Sequence, residues 1–162
     1  MPPRPPEPGA AGPPCRNPHR LSYPLGVGPT FGVAIHIEAP LDETALADAD
    51  LVGDALDRIE AFLAAAGYSL PLQLAGALLA VRTISGGSPS PEVSAAVADV
   101  EAVRRIVGPD ASRWTIVVHV DRFQVRAGKP FAGPLLQFSS WVTGVSSGVT
   151  VTEGARGRIA AG

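Results

Sequence analysis

From Phe31 onward the chain switches between two hydrophobic periods, one of two residues and one near 3.6, and the switches mark its elements. The run from Phe31 to Glu38 is β-favouring and closed by Pro40, which predicts a first strand. Beyond the acidic residues Asp42, Glu43, Asp48 and Asp50, the apolar positions Leu51, Val52, Ala55, Leu56, Ile59, Phe62, Leu63 and Ala66 recur at helical spacing. Asp54, Asp57, Arg58 and Glu60 fill the opposite side, so an amphipathic helix is expected. Asp50 reads as its N-cap and Gly67 as the left-handed residue past its end.

Two short apolar segments, Leu70–Ala75 and Leu78–Ile84, flank Gly76 and suit an antiparallel pair with a tight turn. After a Gly/Ser loop, Ser90 and Pro91 open a second helix whose buried stripe is Val93, Ala96, Val97, Val100, Val103 and Val107. Gly108 and Pro109 end it. Trp114 to Val120 shows no polar alternation and reads as a central strand covered on both faces. The alternating segment Phe123 to Arg126 is expected to pair with it as a hairpin. A short helix between Leu135 and Val145 and a strand at Val149–Val151 complete the order β-α-β-β-α-β-(β)-α-β, and Glu153 to Ala161 beyond it looks helical. The natural packing is an α+β, ferredoxin-like βαββαβ sandwich, its sheet mostly antiparallel and its helices on one face.

Ten of the seventeen prolines lie within residues 1–30. With few apolar residues to bury, residues 1–29 are expected to form a disordered, Pro-rich tail ahead of one domain at 30–162. The tail is either a solubilising segment or a PxxP ligand that recruits a partner, which makes the chain a scaffold. A domain of about 130 residues buries roughly two-thirds of its unfolded surface. Thirteen basic residues against fifteen acidic ones leave a net charge of -2, which offers no field to grip nucleic acid. No apolar run approaches the length of about 18 residues that a membrane helix needs, and no signal-peptide core is evident. Cys15 is the only cysteine, which excludes an internal disulfide and a cysteine zinc site. A cytoplasmic domain is the expectation.

Several residues invite chemistry. Gly144-Val145-Ser146-Ser147-Gly148 satisfies the nucleophile-elbow pattern, but the last histidine, His119, precedes it, and a hydrolase of that fold needs its histidine afterwards. Gly128-Lys129 is no phosphate loop, since Phe123 and Pro130 replace the required Gly and Ser/Thr. His36 and His119 lie on predicted strands and could meet at a metal only with Glu38 or Asp121 turned the same way. A core or edge histidine with one hydrogen bond is the simpler reading. Trp114 and Trp141 read as packing residues.

Phe131-Ala132-Gly133-Pro134-Leu135-Leu136-Gln137 is similar to the Y-F-G-P-A-V-N segment of the class III nucleotidyl (adenylyl/guanylyl) cyclase domain. Val149 to Arg156 resembles that family's V-L-V-S-E-A-T-R strand and helix start. Ile116-Val117-Val118-His119 resembles its I-G-I-H strand, and Leu74 to Ala80 its F-L-G-D-G-V-L-A hairpin, one residue short. The resemblance spans about 125 residues in register and implies the cyclase α+β fold. It also implies two aspartates holding two Mg²⁺ ions, with an Asn and an Arg from a second subunit. Here the first aspartate falls on His36 or Ile37, with Glu38 close by, and the second on Gly76. Asn becomes Gln137, Arg becomes Trp141, and the substrate-selecting Lys has no counterpart in Leu70–Gln73.

Without paired carboxylates, two divalent ions have no place beside a polyphosphate, and an anion brought among Gly, Ala and Leu stays unpaired. The resemblance therefore implies a catalytically inactive cyclase-homology domain with no metal or cofactor, serving as a regulatory, ligand-sensing or protein-interaction module. The candidate ligand groove is lined by His36, Glu38, Gly76, Gln137 and Trp141 and would take a nucleotide or another small molecule. A homodimer or heterodimer is expected, because family members dimerise through the faces that build the site. The alternative is a divergent enzyme acting on a nucleotide or other phosphate compound through His36, Glu38 and His119.

Overall fold

The computed structural model describes Met1 and residues 29–40, 49–86 and 90–160. The Pro-rich segment, Cys15 and the acidic residues Asp42, Glu43 and Asp48 lie outside them. The elements are β1 (Thr30–Glu38), α1 (Ala49–Ala65), β2 (Ser69–Leu74), β3 (Ala77–Thr83) and α2 (Ser90–Val107). Next come β4 (Thr115–Arg126), β5 (Lys129–Ala132), α3 (Phe138–Val142), β6 (Gly148–Val151) and α4 (Glu153–Ala160). Helical turns of the 3-10 type at Pro109–Arg113 and Pro134–Leu136 precede β4 and α3.

The strands form a six-stranded sheet in the order β2-β3-β1-β4-β5, with β6 beside the first half of β4. All pairings are antiparallel except β4 with β6. This is the mostly antiparallel α+β sandwich read from the sequence. Alternation along β1 sends Val33, Ile35 and Ile37 to one face and Ala34 and His36 to the other. On the first face they meet Ala55, Ile59 and Leu63 of α1, Val93, Ala96, Val100 and Val103 of α2, and Ala155 of α4. The second face carries a smaller cluster of Ala34, Leu79, Val81, Phe123 and Leu135, against which Phe138 and Trp141 of α3 pack. Trp114 is buried in the larger core, as expected of a packing residue.

α1 starts at Ala49, so Asp50 sits inside its first turn rather than capping it. Past its other end, Gly67 has φ +86 and its amide donates to Ala64 O at 3.1 Å, while the Tyr68 amide donates to Leu63 O at 3.0 Å. These are the two bonds of a Schellman stop. Tyr68 then ties three elements together. Its hydroxyl donates to Asp99 of α2 at 2.9 Å, and the Arg82 guanidinium of β3 lies 4.5 Å from its ring centre. Arg82 also donates to Ala66 O and reaches Asp99 at 3.5 Å. Burial pushes the Tyr68 hydroxyl above its ordinary value, which keeps it a neutral donor.

The hairpin expected between Trp114–Val120 and Phe123–Arg126 does not form, because both belong to the single twelve-residue strand β4. Asp121 and Arg122 do not reverse the chain because both stay paired with β1, opposite Gly32 and Phe31. The reversal comes at Ala127 and Gly128, with φ +50 and +76, and Arg126 pairs with Lys129 across it. Positive φ at both central positions is the backbone signature of a primed two-residue hairpin. Gly32 on β1 is required for a different reason. A Cβ there would lie 2.5 Å from Phe123 Cε1 and 2.8 Å from Leu135 Cδ2, both buried members of the second-face cluster.

Alanine in the left-handed region costs about 1–2 kcal/mol, a cost that asparagine largely avoids. Ala127→Asn is therefore expected to raise stability by about 0.5–1 kcal/mol, read as a higher denaturant midpoint at unchanged slope. An unchanged or lower midpoint would contradict the turn geometry.

Candidate functional site

The site is built on the second face of the sheet by residues two apart on the strands. His36 and Glu38 share that face of β1, and Val117, His119 and Asp121 share it on β4, because side chains alternate along a strand. The register sets His36 opposite Val117 and Ala34 opposite His119, so the two histidines are diagonal neighbours. α3 crosses above them. Phe138 and Trp141, three apart on one short helix, project from the same side of it.

The result is a layer of four rings. Phe138 stacks on His36 with ring centres 5.0 Å apart and planes within 13°. Trp141 stacks on His119 at 4.7 Å and 19°, and turns its edge to His36 at 6.2 Å and 89°. His36 is only 1% exposed, and neither of its ring nitrogens has a hydrogen-bond partner. Nε1 of Trp141 is likewise buried and unpaired. An unpaired buried polar group costs about 1–3 kcal/mol, so His36 is retained at a cost. The simple reading of His36 as a core histidine with one hydrogen bond fails on the bond and holds on the burial.

His119 is anchored. Its Nδ1 lies 2.9 Å from Thr152 Oγ1, and its Nε2 lies 3.7 Å from Asp121 Oδ2. Burial lowers the pKa of both histidines from the usual value, opposed by the charge of Glu38 at His36 and of Asp121 at His119.

The remaining candidates are less close. Glu38 ends β1, half-buried, opposite Ala77 and Thr115. Gly76 lies in the β2–β3 turn, where its carbonyl accepts the Ala39 amide at 2.8 Å. Gln137 is exposed at the start of α3, and its carbonyl accepts the Ser140 hydroxyl at 2.7 Å. The structure therefore brings together His36, His119 and Trp141, with Glu38 next along β1, and leaves Gly76 and Gln137 at the margins. Both histidines contact the Trp141 ring. Asp121 pairs with Gly32 at one end of β1 while Glu38 marks the other, so the two carboxylates do not converge. Among the described residues no group of three or more His, Cys, Asp or Glu is placed to hold a metal.

Two participants went unread in the sequence, Phe138 and Thr152, and Asp121 was read only as a possible metal ligand. The two-residue spacing of His119 and Asp121, and the three-residue spacing of Phe138 and Trp141, carry the signal in principle. Thr152 sits immediately before Glu153 as the N-cap of α4, its Oγ1 accepting the Ala155 amide at 3.4 Å.

A histidine held neutral by burial binds its proton more readily in the unfolded chain. Its contribution to stability is complete above an unfolded pKa of about 6.5 and is lost as pH falls below it. His36→Phe keeps the ring stack and removes both unpaired nitrogens. The variant should be at least as stable as the parent at pH 7 and lose less stability between pH 7 and pH 5, by urea unfolding. A variant less stable at pH 7 and equally acid-sensitive would contradict the burial of an unpaired imidazole.

No family model matches the chain, and neither does any curated protein. Solved structures do. The adenylyl cyclase CyaB from P. aeruginosa superposes with a TM-score of 0.56 at 12% identity, covering 85% of this chain and 84% of that one. The catalytic core of a rhodopsin-guanylyl cyclase with converted specificity, in complex with ATPalphaS, gives 0.55 at 11% identity over 83% and 84%. The monomeric guanylyl cyclase domain of the RhoGC fusion protein from the aquatic fungus Blastocladiella emersonii gives 0.55 at 10% identity over 83% and 88%. At these identities it is the path of the backbone that is shared, and the chain has the fold of the class III nucleotidyl cyclase catalytic domain.

Proposed function

We propose that this chain is a catalytically inactive cyclase-homology domain that works as a regulatory module, binding a partner protein or a small ligand. The observation that carries the reading is His36. The resemblance places the first metal-binding aspartate on His36 or Ile37; Ile37 is an apolar core residue, and His36 carries an imidazole whose ring lies beneath Phe138. The donor set does not fit a pair of Mg²⁺ ions, which take oxygen ligands in near-octahedral geometry. Gly76 has only a carbonyl, already accepting from Ala39, and Glu38 is a single carboxylate. Removing one charge stabiliser can cost about 10²–10³ in rate, and several are replaced here.

Partner binding is supported by apolar side chains on the strands at the two sides of the sheet. Leu74 on β2, Phe131 on β5 and Val149 on β6 are large and exposed. Open strand edges with apolar residues favour pairing with another chain. A second copy is the first partner to test, and one solved relative in fold is the non-canonical dimeric guanylyl cyclase domain of RhoGC. For a ligand, the aromatic layer of Phe138 and Trp141 offers stacking surface beside His36. No helix among the described residues is long and apolar enough to cross a membrane.

Incubation of the chain with ATP or GTP and Mn²⁺ should yield no cyclic nucleotide by mass spectrometry. Product that disappears in His36→Ala would reverse the reading in favour of a divergent enzyme. Light scattering at tens of micromolar should report a dimer mass that falls when Leu74 is changed to Glu; a monomer mass would count against self-association.

A further inference from the structure

We propose that Thr152, His119 and Asp121 form an acyl-transfer site: a hydroxyl nucleophile, its general base and the carboxylate that orients the base. This goes beyond the regulatory reading, whose inactivity concerns nucleotide cyclisation alone, and does not depend on it. The three side chains come from the end of β6 and from β4, and they line up in order. Thr152 Oγ1 is 2.9 Å from His119 Nδ1, and His119 Nε2 is 3.7 Å from Asp121 Oδ2. Asp121 is itself oriented, since its Oδ1 accepts the Arg122 amide at 2.7 Å. With the imidazole proton on Nε2, facing the carboxylate, Nδ1 is the free acceptor that a nucleophilic hydroxyl needs. Such constellations are recognised by geometry and role, whatever their order along the chain.

The backbone around Thr152 supports the same assignment. It occupies a strand-to-helix turn, after Val151 of β6 and before Glu153 of α4. First-turn amides of a helix lack intrahelical acceptors, and the amide following the nucleophile is the one such turns use to hold an oxyanion. Trp141, stacked on His119, supplies an apolar wall next to the base. Burial holds His119 neutral near pH 7, as a base must be. The apolar wall of Trp141 suits an uncharged carboxylic ester as the substrate class.

The reaction balances without any further reagent than water. Thr152 Oγ1 bonds to the acyl carbon while its proton passes to His119 Nδ1. The intermediate collapses with cleavage of the bond between the acyl carbon and the alcohol oxygen, which takes the proton from His119. Water, deprotonated by His119, then attacks the acyl-threonine and releases the acid, restoring the Thr152 hydroxyl.

The test is covalent labelling of the full chain with a fluorophosphonate probe, the adduct mapped by peptide mass spectrometry. An adduct on Thr152 is expected, absent from the urea-unfolded chain and from Thr152→Val. Asp121→Asn changes a side chain that is 40% exposed and should fold, yet slow labelling by about 100-fold or more. Thr152→Ser, which keeps both the hydroxyl and the helix cap, should still label, so loss of fold in Thr152→Val leaves the outcome decidable. No adduct on the folded chain, or an adduct at Thr152 that forms equally fast in Asp121→Asn, would overturn the proposal and leave Thr152 as a helix cap alone.

Discussion

Strand β1 is covered on both faces, and that constraint organises the rest of the molecule. It lies between β3 and β4, so its backbone groups are paired on both edges, and the side chains from Val33 to Ile37 are all buried. Val33, Ile35 and Ile37 anchor the layer formed by α1, α2 and α4. Ala34 and His36 face the other way, where a bare sheet surface would leave Leu79, Val81 and Phe123 in water. Burying that surface is worth roughly 25 cal/mol per Å². The turn at Pro134–Leu136 and α3 do so with Leu135, Phe138 and Trp141. His36 is thus buried by its neighbours' need for cover, and its unpaired nitrogens are the cost.

The same cover sets the chemistry of the face. That face is a stack of rings. Aromatic contact and desolvation favour neutral imidazoles, and neutral imidazoles favour flat apolar or uncharged partners over a triphosphate.

Most of the architecture was legible because it rests on local periodicity. The helical spacing of Leu51 to Ala66, the Val stripe of α2 and the β-favouring run of β1 each declare their element without reference to the others. Gly67 announced the end of α1 because its backbone conformation needs a particular residue type. Where that link failed, the reading failed: the turn after β4 uses Ala127 in the left-handed region, which carries no sequence signal, and the strand was cut at Asp121 instead. The site was less legible. Residue spacing can say that His119 and Asp121, or Phe138 and Trp141, share a side of one element. It cannot say that α3 will lie across β1 and β4, since that contact is fixed by long-range packing around Gly32, Phe123 and Leu135.

The central claim is that His36 lies beneath an aromatic ring and away from any cation. It is tested most directly by the NMR signals of its imidazole protons during titration with paramagnetic Mn²⁺. The account predicts protons shifted upfield by the Phe138 ring current and no selective broadening as Mn²⁺ is added. Unshifted signals that broaden at low Mn²⁺, ahead of those of other buried residues, would mean that this end of β1 still binds a metal ion.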